Sequence, residues 1–226
     1  MLVNHDFTQR ASLRLADYQW VRSPQTGIER VMLDRIGEEK ARATSIVRYS
    51  PESYFPEHQH PDGEEILVLS GVFSEGSRDY PAGWYLRNPD GSSHSPSSRE
   101  GATIFVKLRQ MRHEDSEFVR INTRDPSTWK EIPGGAVCPL FQGVFENVSL
   151  QRLDAAHSIH IEVETGGTEI LVLNGELVEE STTLCAGSWL RVPVQDSGIF
   201  TAGREGAVFY LKTGHLRGMT STEVAE

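Results

Sequence analysis

Apolar residues in this chain are gathered into short segments, and polar stretches rich in Gly, Pro, Asn and Asp separate them. The segments favour β-branched, aliphatic and aromatic side chains, whereas the intervening compositions supply turns and end strands. No long stretch repeats apolar residues with the 3.6-residue period of a helix. The pattern predicts an all-β sandwich, jelly roll or barrel with at most short helices. The strands predicted in the first half are Thr44–Tyr49, Glu65–Leu69, Gly83–Arg87 and Thr103–Leu108.

This pattern occurs twice along the chain. Three sequence matches recur in the same order at a nearly constant offset, which indicates an internal duplication. The matching segments are Glu65–Gly71 with Glu169–Gly175, Ala82–Pro89 with Ala186–Pro193, and Arg99–Ala102 with Arg204–Ala207. We therefore predict two copies of one domain, at residues 1–114 and 115–226, with the boundary in the polar stretch 112–127.

The composition is that of a globular protein with an acidic balance. The chain has 226 residues and a net charge of −10, which argues against nucleic-acid binding because phosphate contacts need a basic surface. No apolar run is long enough to span a bilayer, and the first residues, MLVNHDFTQR, lack the basic and apolar regions of a secretory signal. We therefore expect a cytoplasmic protein with neither membrane nor nucleic-acid partners.

The cysteines add little chemistry. Cys138 and Cys185 both lie in the second copy, and no CxxC pair is present. This arrangement predicts neither a zinc ribbon nor a disulfide framework. We expect both side chains to be buried structural thiols.

Candidate chemistry is concentrated in the first copy. His58 and His60 lie two residues apart, so on a strand both imidazoles point to the same side. Glu64 follows a short turn, and His94 follows a later one. Three imidazoles and one carboxylate suit a divalent transition metal such as zinc, iron, nickel, copper or manganese. The sequence predicts one such site, formed by these four residues.

These residues also carry a family resemblance. The run HQHPDGEEILVLSG resembles the first motif of the cupin superfamily, and GWYLRNPDGSSH resembles the second. The matching positions of the second motif are Gly83, Pro89, Gly91 and His94, and Ser98 stands where an asparagine is expected. The resemblance implies two tandem jelly-roll β-barrels, a bicupin, with the four ligands lining the interior of the first.

The second copy lacks this ligand set. The positions in register with the four ligands are Glu162, Glu164, Thr168 and Gly198. His157 and His160 lie nearby but are displaced from the inward-facing positions. We therefore predict a degenerate domain without the metal site. The remaining histidines lie in polar or terminal stretches and are expected to be solvated; they are His5, His113 and His215.

Two charged positions are kept in both copies. Glu65 is repeated as Glu169, and Arg87 as Arg191. Because Glu65 is adjacent to a ligand on a strand, its side chain should face away from the metal. We predict ion pairs within each copy that support the fold, and no catalytic acid or base is predicted beyond the ligands.

The function implied by resemblance is regulatory. The segments Trp20–Gly27 and Gly63–Glu75 resemble the cupin domain of ChrR-type anti-sigma factors. In that family a helical zinc-binding domain grips a sigma factor, and the cupin takes part in the response to singlet oxygen or oxidative stress. No His-x3-Cys-x2-Cys helix precedes the barrel sequence here, so sigma-factor binding is not expected.

The resemblance therefore implies a metal-binding, stress-sensing module, with zinc as the first candidate metal and iron, nickel or manganese as alternatives. A metal-dependent dioxygenase or isomerase acting on a small organic molecule is the second interpretation, and a storage-type scaffold is the third. Exposed strand edges and the resemblance favour a homodimer.

Overall fold

The computed structural model describes residues 1–38 and 40–219, and the side chain of Glu164 lies outside the described set. The described chain is all-β, with three single-turn 3₁₀ helices at Leu15–Asp17, Pro126–Thr128 and Val163–Thr165. None of the described helices is long and apolar enough to cross a membrane. The all-β prediction is confirmed.

The strands are short on average and follow the predicted segments closely. Those of residues 1–124 are β1 Leu2–Val3, β2 Ala11–Leu13, β3 Val21–Arg22, β4 Ile28–Ile36, β5 Arg42–Tyr49, β6 Ser53–Tyr54, β7 His58–Gln59, β8 Glu64–Glu75, β9 Arg78–Pro81, β10 Trp84–Asn88, β11 Ser93–His94, β12 Pro96–Ser98, β13 Ala102–Leu108 and β14 Val119–Asn122. Those that follow are β15 Lys130–Ile132, β16 Gly135–Gln142, β17 Asn147–Leu153, β18 Ser158–Ile161, β19 Thr168–Glu179, β20 Thr182–Cys185, β21 Trp189–Val192 and β22 Gly198–Thr213.

The chain forms two compact units whose limits differ from the predicted ones. The first unit contains residues 1–3 and 19–124, and the second contains residues 4–18 and 125–226. The first unit extends beyond residue 114 because β14 pairs with β10. Residues 4–18 belong to the second unit because β2 pairs with β21, a partner far away in sequence. A single cut in the chain therefore does not separate the two units.

Six successive strands have the same order in the two units, from β4 to β14 in the first and from β16 to β2 in the second. The main path of the first sheet is β1-β4-β5-β13-β8-β10-β14, and that of the second is β15-β16-β17-β22-β19-β21-β2. The sequence repeat maps β8 onto β19 and β10 onto β21, at the same places in these paths. The duplication seen in the sequence is therefore present in the topology.

Alternation along the strands builds one apolar core in each unit. In the first unit Ile66 and Val68 of β8 and Ile104 and Val106 of β13 point inward and are buried. Period-2 alternation on antiparallel strands produces this arrangement, since every second side chain faces the interior. The equivalent core of the second unit includes Ile170, Val172, Phe209 and Leu211.

A glycine repeated in the two copies marks a close backbone approach. Gly71 has φ +69°, and a Cβ atom there would overlap the carbonyl oxygen of Gly101. Gly175 has the same φ, and a Cβ atom there would overlap the carbonyl oxygen of Gly206. The pairing register of β8 with β13 shifts near this point. The final glycine of EILVLSG and EILVLNG is therefore required by the fold.

The predicted ion pair of the first unit is present. Arg87 Nη1 lies 3.6 Å from Glu65 Oε2, and both side chains are buried. Arg87 Nη2 also lies 3.4 Å from Asp115 Oδ2. Glu65 and Arg87 are cross-strand partners between β8 and β10, which brings the charges together. A buried pair of this kind is costly to break because one charge would remain without its partner.

In the second unit, Glu169 contacts a tryptophan and a histidine. Glu169 accepts a hydrogen bond from Trp189 Nε1 at 2.6 Å, and His215 Nε2 lies 3.5 Å from Glu169 Oε2. The side chain of His215 is only 3% exposed, so the prediction that it is solvated is wrong. Glu169 and Arg191 are register partners, and their ion pair stays a prediction. His113, by contrast, is 90% exposed, as expected.

The two cysteines differ in burial, which corrects one prediction. Cys138 is buried and its thiol donates to Thr128 Oγ1 at 3.4 Å, whereas Cys185, at the end of β20, is exposed. Period-2 alternation places Leu184 in the core and turns the next residue outward. Burial raises the pKa of the Cys138 thiol, and the Thr128 contact offsets this only in part.

We expect one of the two thiols to react rapidly with a disulfide reagent at pH 8. Cys185 is accessible, whereas Cys138 is buried and its raised pKa keeps the thiol protonated, so less thiolate is present to react. The measurement is the time course of thiol titration in the native protein and in Cys185→Ser. Loss of the fast phase in Cys185→Ser is the expected result. A fast phase that persists in that variant would contradict the assignment.

Candidate metal centre

Two short strands and the start of a long one bring the four predicted ligands together. Strand β7 pairs antiparallel with β11, which places His58 directly opposite His94. His60 follows β7 on the same side as His58, and Glu64 is the first residue of β8. His60 and Glu64 are buried, His94 is partly buried, and His58 is exposed at the surface end of the group.

The ligand atoms converge on one point. One donor atom from each of the four residues lies within 4.8 Å of the donor atoms of the others. Glu64 Oε2 is 3.4 Å from His60 Nε2 and also 3.4 Å from His94 Nε2. The ring centroids of His60 and His94 are 4.3 Å apart, and the rings are nearly perpendicular. This geometry leaves room for a small cation between the four side chains.

Each imidazole presents Nε2 to the centre because its Nδ1 is engaged elsewhere. His58 Nδ1 lies 2.9 Å from the carbonyl oxygen of Pro56, and His94 Nδ1 lies 2.7 Å from Glu75 Oε1. Both partners are acceptors, so the proton resides on Nδ1 and the Nε2 lone pair faces inward. A hydrogen bond of this type commonly orients the histidine ligands of protein metal sites.

Ser92 orients the His60 ring by a hydrogen bond to Nδ1. His60 Nδ1 is 2.9 Å from Ser92 Oγ, and this hydroxyl donates its own proton to the carbonyl oxygen of Pro89 at 2.6 Å. Ser92 Oγ therefore accepts from His60. The Nε2 atoms of His60 and His94 are buried without a hydrogen-bond partner among the described residues. Buried acceptors without a partner are costly, and a bound cation would satisfy both.

The two sequence motifs are joined through their turns. His60 donates its backbone N–H to the carbonyl oxygen of Ser92, and the His60 carbonyl accepts from Gly63 and Gly91. Asp90 adds a side-chain contact, accepting from the backbone N–H of Asp62 at 2.8 Å. The turns HPDG and NPDGSS therefore fix each other, and with them the spacing of the ligands that they carry.

A second layer behind the ligands was not predicted from the sequence. Asn88 Nδ2 donates to Glu64 Oε2 and to Glu75 Oε1, each at 3.0 Å. Arg120 Nη2 donates to Glu75 Oε2 at 2.8 Å and to Asn88 Oδ1 at 2.6 Å. This network holds both the carboxylate ligand and the His94 ring in place. Arg120 comes from β14, which lies beyond both motifs.

The electrostatics of the group follow from burial and from these contacts. Burial lowers the pKa of His60 below its ordinary value, and the Glu64 charge offsets this only in part. Burial would also lower the pKa of His94, but the hydrogen bond to Glu75 and the Glu64 charge raise it overall. For Glu75, burial is outweighed by contacts with His94, Arg120 and Asn88, which lower the pKa to about 2.

The group borders a cavity of about 530 Å³ in the first unit. Its wall includes three of the four predicted ligands, His58, His60 and Glu64. Most of the remaining wall is apolar and comes from inward positions of β5 and β13 together with Phe55. Cavities of this size commonly hold small organic ligands in proteins. Tyr85 and Arg87, near the second motif, are buried away from the cavity wall.

Two described positions of the second unit differ from their counterparts in the first. Thr168 begins β19 as Glu64 begins β8, and Gly198 begins β22, so no imidazole stands at either place. His157 and His160 are both exposed. In the described part of the chain, no other set of three or more ligand side chains converges. That the second copy has lost the metal site stays a prediction.

Comparison with known proteins finds a family model that matches part of the chain. Residues 8–112 match the family model of the ChrR cupin-like domain. This stretch is similar to a ChrR cupin-like domain, and most of it lies in the first unit. No curated protein sequence matches the chain. The match agrees with the resemblance expected from the sequence and covers both cupin motifs.

Solved cupin structures confirm the jelly-roll fold. A candidate dioxygenase from Nostoc punctiforme has a TM-score of 0.71 at 15% identity, covering 99% of this chain and 85% of that one. The pirin YhhW from Escherichia coli in complex with nickel(II) has a TM-score of 0.64 at 10% identity, with 91% and 98% covered. An oxalate decarboxylase from Lactobacillus farciminis has a TM-score of 0.62 at 12% identity, with 97% and 90% covered.

Glu75 offers a test of the second layer behind the candidate ligands. Glu75→Gln should weaken metal binding by about 10- to 100-fold, because the neutral amide is a weaker acceptor for the Nδ1 proton that orients His94. The affinity is measured by competition with a chelator. Glu179, the repeat counterpart of Glu75, accepts from Arg10 at 2.7 Å, so Glu179→Gln is the matched control. Equal affinities for the two variants would show that Glu75 does not support the site.

Proposed function

We propose that this protein is a metal-dependent cupin enzyme that acts on a small organic molecule in the cavity of the first unit. The observation that carries the proposal is that three of the four candidate ligands also form the cavity wall. A molecule in the cavity can therefore reach the metal position, which a purely structural metal site would not require. We also propose that the second unit is a degenerate cupin that arose by duplication.

A divalent transition metal bound by the four residues would polarise a substrate oxygen or, as iron, support oxygen chemistry. The chain supplies the surroundings for such a reaction. Glu75 holds the Nδ1 proton of His94, so that the Nε2 lone pair stays available. The apolar wall, which includes Phe55, Ile104 and Val106, excludes water from the substrate.

Tyr49 is the one phenol on the cavity wall within the described residues. Burial, and then the charge of Glu64, raise the pKa of Tyr49 above its ordinary value. The hydroxyl therefore stays protonated at neutral pH and can donate a hydrogen bond to an anionic or carbonyl oxygen. We assign it a substrate-binding role.

The test has two steps. Elemental analysis of protein purified without added metal identifies the bound ion. Oxygen uptake by the iron-loaded protein is then measured with a β-diketone and with a dihydroxy-aromatic acid as probes. The expected result is uptake that is absent from the double variant His58→Ala with His94→Ala. Tightly bound zinc, with no uptake and no isomerisation of either probe, would overturn the enzymatic proposal.

The family match favours a second candidate function. ChrR-type cupins are regulatory, and residues 8–112 match that family model. In this alternative the metal and the cavity form a sensor that responds to a ligand or an oxidant without turnover. The same experiment separates the two candidates, because a sensor binds its metal firmly and leaves the probes unchanged.

A further inference from the structure

An arginine occupies an inward position of the first barrel. On β4, Ile28 and Arg30 both line the cavity, as alternate residues of a strand should. Arg30 pairs in register with Val47 of β5, which in turn pairs with Ile104 of β13. Val47 and Ile104 also line the cavity. A single cation therefore stands in a row of apolar side chains.

The side chain of Arg30 has no compensating charge among the described residues. Within that part of the chain its Nε atom is buried without a hydrogen-bond partner, and it forms no ion pair. The adjacent carboxylate, Glu29, instead pairs with Arg48 at 2.6 Å. A buried polar nitrogen without an acceptor lowers stability, and a bound carboxylate would supply the acceptor.

Other cations on the cavity wall are already engaged or exposed. Arg35 donates to the carbonyl oxygens of Gly37 and Glu38. Arg109 lies 3.5 Å from Asp62 at the edge of the wall, and Lys40 is exposed. Arg30 is thus the cavity cation best placed to receive an anion.

The second unit shows that the fold itself does not need this arginine. The repeat places Val137 of β16 at the position of Arg30, since Val137 pairs with Gln151 of β17 as Arg30 pairs with Val47. The bulges that follow, near Met32 and near Pro139, also correspond. The cation occurs only in the unit that carries the metal ligands.

Strand register separates Arg30 from the candidate ligands. Glu64 lies opposite Leu108 on β13, whereas the row of Arg30 crosses β13 at Ile104. Four residues along a strand correspond to about 13 Å. The wall between these rows includes Val106 and its register partner Ser45, so it is apolar apart from one hydroxyl. A molecule that reaches both places needs an apolar body between its two ends.

We propose that Arg30 binds the carboxylate of a small organic acid whose apolar body fills the cavity. Arg30 would form a charge-assisted hydrogen bond through Nε, which no described residue satisfies. The other end of the acid would face the four candidate ligands. Only the placement of this other end beside the candidate ligands rests on the proposed function, because binding of the carboxylate by Arg30 requires no metal.

The experiment compares an acid with its neutral isostere. Binding of 3-phenylpropanoate and 3-phenylpropanamide to the metal-free protein is measured by calorimetry. Wild type should bind the acid at least about tenfold more tightly than the amide, as expected of a charge-assisted bond. Arg30→Met should abolish this preference, and Arg30→Lys should retain part of it. Arg22→Met removes an exposed arginine from β3 and is the charge-matched control, with the preference unchanged.

Several outcomes would overturn the proposal. They are equal binding of acid and amide by wild type, no acid binding at millimolar concentration, and an equal loss of preference in Arg22→Met. Circular dichroism of each variant checks that it is folded. The preference should persist in the double variant His58→Ala with His94→Ala. If wild type bound no metal but kept the preference, the proposed function would fail and the carboxylate site would stand.

Discussion

The double variant His58→Ala with His94→Ala is expected to bind no metal while remaining folded. Removing two of four ligands leaves His60 and Glu64, which cannot fill the coordination of a transition metal at ordinary affinity. Metal content per chain should fall from near one to near zero. The measurement is elemental analysis after purification in chelator-treated buffer, with far-UV circular dichroism as the test of folding.

The matched control for this variant is His113→Ala. His113 is 90% exposed and contacts only the Asp90 carboxylate among the described residues. Its replacement therefore removes an imidazole with little loss of folding stability. Its metal content should equal that of wild type. Full occupancy in the double variant would refute the ligand assignment. Loss of metal from His113→Ala would point to a site other than the one described.

Gly71→Ala should destabilise the first unit by about 3 kcal/mol or more. Two costs add: the alanine must adopt a positive φ, and its Cβ would overlap the carbonyl oxygen of Gly101 on the neighbouring strand. Because the obstructing atom belongs to the backbone, a rotamer change cannot relieve it. The measurement is thermal or urea unfolding, and a decrease of about 10 °C or more is expected for a unit of this size.

Gly76→Ala separates the two costs. Gly76 has φ +60°, similar to Gly71, but a Cβ atom at that position would meet no described atom within 4 Å. It should lose only the conformational part, about 1 kcal/mol. Gly175→Ala should reproduce the large effect in the second unit, where Gly206 is the obstacle. Equal stabilities for Gly71→Ala and Gly76→Ala would show that the close approach is not limiting.

The convergence of the four candidate ligands could be predicted from the sequence because each is tied to a local rule. Alternation on a strand determines that His58 and His60 share a side, and turn compositions place Glu64 and His94 in strands directly after turns. The duplication also predicts the topology, since an internal repeat can be recognised without knowing any contact. Conversely, the absence of imidazoles in register indicates that the second copy lacks the group.

The second layer could not be predicted because it depends on pairing between distant strands. Arg120 reaches Glu75 only because β14 pairs with β10, and nothing in the sequence near Arg120 indicates that neighbour. The sequence repeat does single out Glu75, because its counterpart Glu179 is also a glutamate. The repeat does not indicate the partners, since Glu75 pairs with Arg120 and Glu179 pairs with Arg10. His215 was expected to be solvated from its terminal position, and its burial results from a tertiary contact with Glu169.

Residues 4–18 belong to the second unit, and this has a consequence for folding during synthesis on the ribosome. Strand β2 is made near the beginning, but its partner β21 is translated about 180 residues later. The unit with the four candidate ligands has its last strand once residue 122 has emerged, and it can fold while the rest is being made. The second unit cannot complete its sheet until late in synthesis, because β2 is made first and its partner β21 is made near the end. Deleting the first eighteen residues should therefore impair folding of the second unit, while most of the first unit still folds.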